Sequence, residues 1–145
     1  MPHSHVHPIP SPKLLSPLGR GLATLQLAKE TLTIILLGVP LLLGKPLLVL
    51  AALPGLVLYL FRWVLVLGRI RRRAAAIVWL FTIVDELWGL VLYLRATGGA
   101  PTVRQLRYLD WSYRLGLGLA VAALLEIGYR RYRDRAHLRQ LLKAA

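Results

Sequence analysis

The chain has 145 residues, 57% of them hydrophobic, and a mean hydropathy of +0.58, which indicates a single-domain membrane protein. Its net charge of +13 is divided into short basic blocks between apolar runs; this pattern argues against a nucleic-acid-binding protein and favours charges that orient membrane spans. The chain contains no cysteine, which excludes disulfides, thiolate metal sites and cysteine catalysis.

Residues 1–17 contain five prolines and show no hydrophobic periodicity. This composition predicts an extended, polyproline-like arm with no core of its own. Three histidines alternate along it, at His3, His5 and His7. A loose metal site there is the weaker alternative to a plain polar tail, and we predict no metal.

If residues 18–30 form a helix, Leu18, Leu22 and Leu25 lie on one side of it and the charged residues of this segment lie on the other sides. This spacing predicts a short amphipathic helix that lies in the membrane interface.

Residues 31–67 form two apolar runs that are separated by Gly44, Lys45 and Pro46. One helix over this length would measure about 55 Å, too long for a single span, and the Gly-Lys-Pro break predicts a turn. We therefore expect a helical hairpin that returns the chain to its starting side. Its first arm is short, so a re-entrant loop and a full crossing both remain open.

Residues 74–94 are long enough to cross a bilayer, yet they carry adjacent carboxylates, Asp85 and Glu86, near the middle. Each acid at that depth costs about 2.5 to 3.5 kcal/mol, which nearly cancels the gain from the apolar residues. This helix therefore requires partners. Its polar and small residues recur at helical spacing on a single face that we expect to avoid lipid: Thr82, Asp85, Glu86, Gly89 and Tyr93.

The sequence of residues 97–110 predicts a longer connection that includes a short interfacial helix. The sequence of residues 112–129 predicts the last membrane span. In that span Gly116, Ala120 and Ala123 form a stripe of small residues, with Glu126 beyond it. Such a stripe lets another helix approach closely. We expect it to meet the carboxylate face of the central helix.

Both central acids have a candidate arginine partner. In an antiparallel arrangement Arg62 can reach Asp85, and Arg114 can reach Glu86. Charges within membranes almost always pair or line a wet cavity. We expect these pairs, together with Thr82 and Glu126, to lock the bundle or dock a neighbouring subunit, and a proton or cation relay through the two acids is the alternative.

The distribution of Lys and Arg predicts the topology. Thirteen lie in residues 1–30, the 69–73 turn and residues 130–145, and four lie on the opposite side. The positive-inside rule therefore places both termini in the cytoplasm, with the protein in a bacterial inner or cytoplasmic membrane. The basic blocks are also expected to contact anionic phospholipids; these arginines are Arg69, Arg71, Arg72, Arg73, Arg130, Arg131 and Arg133.

No pattern in the chain indicates catalysis. There is no glycine-rich phosphate loop and no H-E-x-x-H, and the one histidine outside the arm, His137, lies in the basic tail. Haem held by histidine within the membrane is disfavoured, because no predicted membrane span contains a histidine. We expect no enzyme activity and no cofactor, while bound lipid is compatible with the basic blocks.

The prediction is therefore an all-α membrane protein: a bundle of about four transmembrane helices, the first either a full crossing or re-entrant, with short interfacial helices. Its parts are an arm over 1–17, a single helical membrane domain over 18–131 and a basic amphipathic tail over 132–145. The predicted function is that of a small accessory subunit that packs against other integral membrane subunits. A small proton- or cation-conducting protein that uses Asp85 and Glu86 is the alternative.

Overall fold

The computed structural model describes residues 14–44, 46–98 and 104–145. These residues form four α-helices and no strand: α1 (Pro17–Leu43), α2 (Pro46–Leu67), α3 (Arg72–Thr97) and α4 (Arg104–Ala144). The all-helical prediction is confirmed for this part of the chain. Most of the arm over 1–17, including its three histidines, lies outside the described residues.

The four helices surround a common centre. Helix α1 packs against α2 and α4, and α3 packs against the same two neighbours. The start of α1 and the later part of α4 lie at one end, because the Ser16 hydroxyl is 2.6 Å from a Glu126 carboxylate oxygen. Arg72, at the start of α3, contacts Asp134 there at 2.8 Å. We call this end, which carries residues 14–20, 66–73 and 126–134, the basic end.

Helices α2 and α3 are both long and apolar enough to cross a membrane. The predicted break near residues 44–46 is present, since α1 ends at Leu43 and α2 begins at Pro46. Proline suits the first position of a helix. A backbone N–H at that position would have no intrahelical acceptor, so proline, which lacks an N–H, loses no hydrogen bond there.

The distribution of polarity is inverted relative to a water-soluble bundle. On α3, Phe81 is 58% exposed and Val84 is 63% exposed, whereas Glu86 is 2% exposed. Large apolar side chains also cover the outer faces of the other helices. Exposed apolar surface of this extent is typical of a face that contacts a membrane, a ligand or another protein.

Helix α1 differs from the prediction. Residues 18–30 are not a separate interfacial helix; they are the first half of one continuous helix of 27 residues. Lys29 and Glu30, two of the charged side chains that suggested an interfacial helix, form contacts inside the bundle instead, together with Gln26. The arm is also ordered where it meets α1: Ser16 accepts a hydrogen bond from the Gly19 N–H at 3.0 Å and so caps the helix.

Helix α4 also differs from the prediction. The expected interfacial helix, last span and basic tail are one continuous helix of 41 residues, about 61 Å long. The predicted boundary between residues 131 and 132 therefore falls inside a helix. The glycines of this helix do not break it, because they lie among leucine, alanine and arginine, which favour helices.

Candidate functional site

The carboxylate face of α3 is buried, as its spacing predicts. Thr82, Asp85, Glu86, Gly89 and Tyr93 are all among the buried residues of that helix. Asp85 and Glu86 lie about 20 Å from the start of α3. The acids therefore face the bundle centre at about the middle of the helix.

Arg62 of α2 contacts three groups on two other helices. Its guanidinium lies 3.0 Å from the Asp85 carboxylate and also pairs with Glu30 of α1. Its Nε donates to the Thr82 hydroxyl at 3.4 Å. The Arg62 side chain is 1% exposed, so a planar group with five donors serves two carboxylates away from water.

Lys29 of α1 is the partner of the second central acid. Its ammonium lies 2.6 Å from Glu86 Oε1 and donates to the Ser112 carbonyl oxygen of α4 at 3.1 Å. The amide nitrogen of Gln26 donates to Glu86 at 2.6 Å and to Glu30 at 2.8 Å. Gln26 therefore joins the Lys29 pair to the Arg62 pair in one connected set of contacts.

We call this set of side chains the central network; its members are Gln26, Lys29, Glu30, Arg62, Thr82, Asp85 and Glu86. Three of its members are carboxylates and two are cations, so its formal charge is −1. Attraction between opposite charges is strong in a medium of low polarity, but each charge also loses its hydration there. The network stabilises the bundle only while its members remain together.

Two glycines allow the helices to meet at this level. A Cβ placed on Gly116 of α4 would overlap the Glu86 carboxylate and lie 2.6 Å from the Lys29 ammonium. A Cβ on Gly89 of α3 would overlap the Tyr113 ring. The predicted close contact between the small-residue stripe of α4 and the carboxylate face of α3 is therefore present.

A cavity of about 240 Å³ adjoins the network. Its polar wall includes Lys29, Glu30, Arg62, Asp85 and Glu86, and every helix contributes to its lining. The remaining wall combines apolar residues with four hydroxyl-bearing side chains; its members are Ile34, Ala51, Ala52, Gly55, Leu56, Leu109, Thr33, Tyr59, Ser112 and Tyr113. The cavity extends from the network away from the basic end.

On the other side of the network the bundle is filled by apolar side chains. Trp79, Leu65 and Ala75 are 0% exposed, and so are Ala120 and Ala123 of the small-residue stripe. They belong to one packed core with Ala23 and Ile127. Among the described residues, this core separates the central network from the basic end.

Arg114 lies away from Glu86, in contrast to the prediction. Its guanidinium donates to Asp110, one turn earlier on α4, at 3.0 and 3.1 Å, and its side chain is 61% exposed. A partner four residues away on the same helix is reached without crossing the bundle. Lys29 occupies the position beside Glu86 that we predicted for this arginine.

Glu126 also lies outside the central network. Its carboxylate accepts a hydrogen bond from the Ser16 hydroxyl and forms an ion pair with Arg130 at the basic end. Two of the arginines predicted to bind lipid headgroups are engaged within the chain there, Arg72 with Asp134 and Arg130 with Glu126. The other five, Arg69, Arg71, Arg73, Arg131 and Arg133, are exposed at that end.

Three members of the network were missed by sequence reasoning: Gln26, Lys29 and Glu30. A signal for them was present, because Gln26, Glu30 and Thr33 recur at intervals of four and three residues within an increasingly apolar segment. A polar stripe on an apolar helix indicates a buried interhelical contact as readily as a water-facing surface.

Among the described residues, no three His, Asp or Glu side chains are arranged to hold a metal ion. Comparison of the chain with protein-family models, with curated proteins and with solved structures found no match.

Proposed function

We propose that the chain is an integral membrane protein whose four helices all cross the bilayer. Helix α4 contains more charge than α2 and α3, but Lys29 and Glu30 of α1 and Ser112 of α4 face the cavity or the network inside the bundle. Leu32 and Ile35 of α1 and Leu115 and Leu125 of α4 face outward and are 51–71% exposed. This arrangement suits a bundle surrounded by lipid, in which polar side chains must be satisfied within the protein.

The basic end faces the cytoplasm in this proposal. The burial of Lys29 removes one charge from the amino-terminal count and leaves twelve Lys and Arg on that side against four on the other. The positive-inside rule depends on this asymmetry. Both termini then lie in the cytoplasm, and the exposed arginines of the basic end lie at the level of anionic headgroups.

We further propose that the protein is a non-catalytic accessory subunit of a larger membrane complex. The observation that carries this is the extension of α4. After Asp134 the helix continues for about 15 Å, and its Leu138, Leu141 and Leu142 are 54%, 55% and 76% exposed. Residues 130–145 carry six Lys and Arg and one acid.

A helix end with exposed leucines gains little stability by itself, because helices in proteins depend on tertiary packing. A partner with an apolar groove and an acidic rim would cover the leucines and balance the charge. The carboxylates of α3 are engaged within the chain. The extension of α4 is therefore a better docking element than the carboxylate face that the sequence suggested.

Photo-crosslinking in native membranes tests this assignment. A benzoylphenylalanine at Leu142 is expected to form an adduct with another membrane subunit. The same group at Leu60, which is 71% exposed on α2, should label lipid. Reversing the charges of Arg139 and Lys143 to Glu should abolish the Leu142 adduct, and gentle extraction should recover the chain with larger proteins. Lipid adducts alone at both positions, from a chain that migrates as a monomer, would contradict the proposal.

Conduction of protons or cations is the second candidate, and the cavity that ends on Asp85 and Glu86 favours it. The apolar core on the other side of the network opposes it, since among the described residues the fully buried side chains there are apolar. We expect liposomes that contain the protein to show no proton flux under a pH gradient. A flux that vanishes in the Asp85→Asn, Glu86→Gln double variant would favour conduction over the accessory role.

A further inference from the structure

The cavity beside the central network has the size and lining of a binding site for a small molecule. Its volume of about 240 Å³ exceeds that of engineered apolar cavities of about 150 Å³ that bind benzene. Ala52, Leu56, Ile34 and Leu109 supply apolar wall on three helices. Binding sites for small molecules commonly combine such walls with a few polar groups that fix orientation.

The charge of the network indicates the sign of the ligand. Lys29 is engaged by Glu86, and Arg62 is shared between Glu30 and Asp85. Both cations of the network are therefore already neutralised, and the excess charge is one carboxylate. A single positive charge in the cavity would make the network neutral, whereas an anion would increase its imbalance.

The hydrogen bonds of the network indicate the same sign. Glu30 lines the cavity, and its Oε2 is a buried acceptor without a donor in the described part of the chain. Buried acceptors normally have a donor or a cation nearby. The missing partner of this oxygen is therefore a donor or a cation.

Two aromatic rings complete the site. Tyr59 and Tyr113 line the cavity on α2 and α4. The Tyr113 ring lies directly against Gly89, and the Tyr59 hydroxyl is 2.7 Å from that of Thr31. Aromatic faces attract organic cations, and this attraction increases when water is excluded.

We propose that the cavity binds a small organic monocation with apolar substituents, with its positive charge beside Glu30 and Asp85 and its apolar part against Ala52 and Leu56. This site is independent of the docking role of α4, because the cavity does not include the α4 extension. The two proposals therefore fail separately.

Equilibrium dialysis of the full chain in lipid nanodiscs tests the proposal. The probe is radiolabelled benzyltrimethylammonium, and empty nanodiscs supply the baseline. We expect saturable binding that excess unlabelled probe displaces. Neither benzenesulfonate, an anion, nor neopentylbenzene, an uncharged molecule of the same shape, should displace it at the same concentration. Displacement by either competitor, or the absence of saturable binding, would overturn the proposal.

Three variants assign the binding to the cavity. Asp85→Asn makes the network formally neutral and should weaken binding at least about tenfold, a loss of about 1.4 kcal/mol. Asp110→Asn is the matched control, since Asp110 pairs with Arg114 outside the cavity, and it should bind as the wild type does. Ala52→Phe fills the cavity and keeps every charge, so it tests the site even if Asp85→Asn does not fold. Wild-type binding by folded Ala52→Phe would contradict the assignment.

Discussion

Replacement of Arg62 by Met is expected to lower the free energy of unfolding by about 3 to 5 kcal/mol, the range found when one partner of a buried ion pair is removed. The guanidinium lies 3.0 Å from Asp85 and also pairs with Glu30. Methionine matches much of the arginine stem but leaves both carboxylates without their shared cation. Reversible unfolding in mixed micelles measures the loss.

Two comparisons show that this loss arises from the uncompensated charge. Arg114→Met removes an arginine whose side chain is 61% exposed beside Asp110, so its effect should stay within about 1 kcal/mol. The triple variant Arg62→Met, Asp85→Asn, Glu30→Gln removes the cation and both charges that it neutralises. It should recover more than half of the lost stability; a triple variant no more stable than Arg62→Met would indicate that arginine acts mainly by packing.

Replacement of Gly116 by Leu is the second change with a large expected effect. A Cβ at this position would already overlap the Glu86 carboxylate and lie 2.6 Å from the Lys29 ammonium. A leucine must therefore separate α4 from α3 or displace the Lys29–Glu86 pair. We expect a loss of about 3 kcal/mol or more, at or above the upper end for overpacking, because a buried ion pair is disrupted as well.

The control position for this change is Gly118, about half a helical turn further along α4. A Cβ on Gly118 would meet no atom within 4 Å, so Gly118→Ala should be neutral or should stabilise α4 by up to about 1 kcal/mol. The same unfolding assay measures both variants. Equal destabilisation by Gly116→Leu and Gly118→Ala would mean that the close approach at Gly116 is not required.

Periodicity was sufficient to predict the buried face of α3 and its contact with the stripe of α4. Asp85, Glu86 and Gly89 repeat at helical intervals within an otherwise apolar segment, and only one side of such a helix can avoid lipid. The hairpin break near residues 44–46 was also predictable, because glycine and proline adjoin there. The depth of Arg62, calculated from helical rise, placed it near Asp85.

The identity of the partner for Glu86 could not be predicted from depth. Arg114 and Lys29 both lie close to Glu86 along the axis of the bundle, and the choice depends on which helix faces which. Arg114 has Asp110 one turn away, so it is satisfied on its own helix. Lys29 was assigned to the interface because residues 18–30 are more polar than the apolar run that follows, although α1 is continuous through both.

The continuity of α4 was missed for a related reason. Three segments of different polarity suggested three elements, but a helix continues through changes of environment where no residue breaks it. Its first turns, middle and end then occupy different surroundings along one axis. Polarity along the chain therefore predicted the element boundaries within α4 wrongly.

The most direct test of the central network is a double-mutant cycle between Lys29 of α1 and Glu86 of α3. Their charged atoms lie 2.6 Å apart and are nearly buried, although 57 residues separate them in the sequence. With Lys29→Met and Glu86→Gln measured alone and together in the same lipid mixture, we predict a coupling energy of about 2 to 3 kcal/mol. Additivity of the two changes within about 0.5 kcal/mol would contradict the network that we describe.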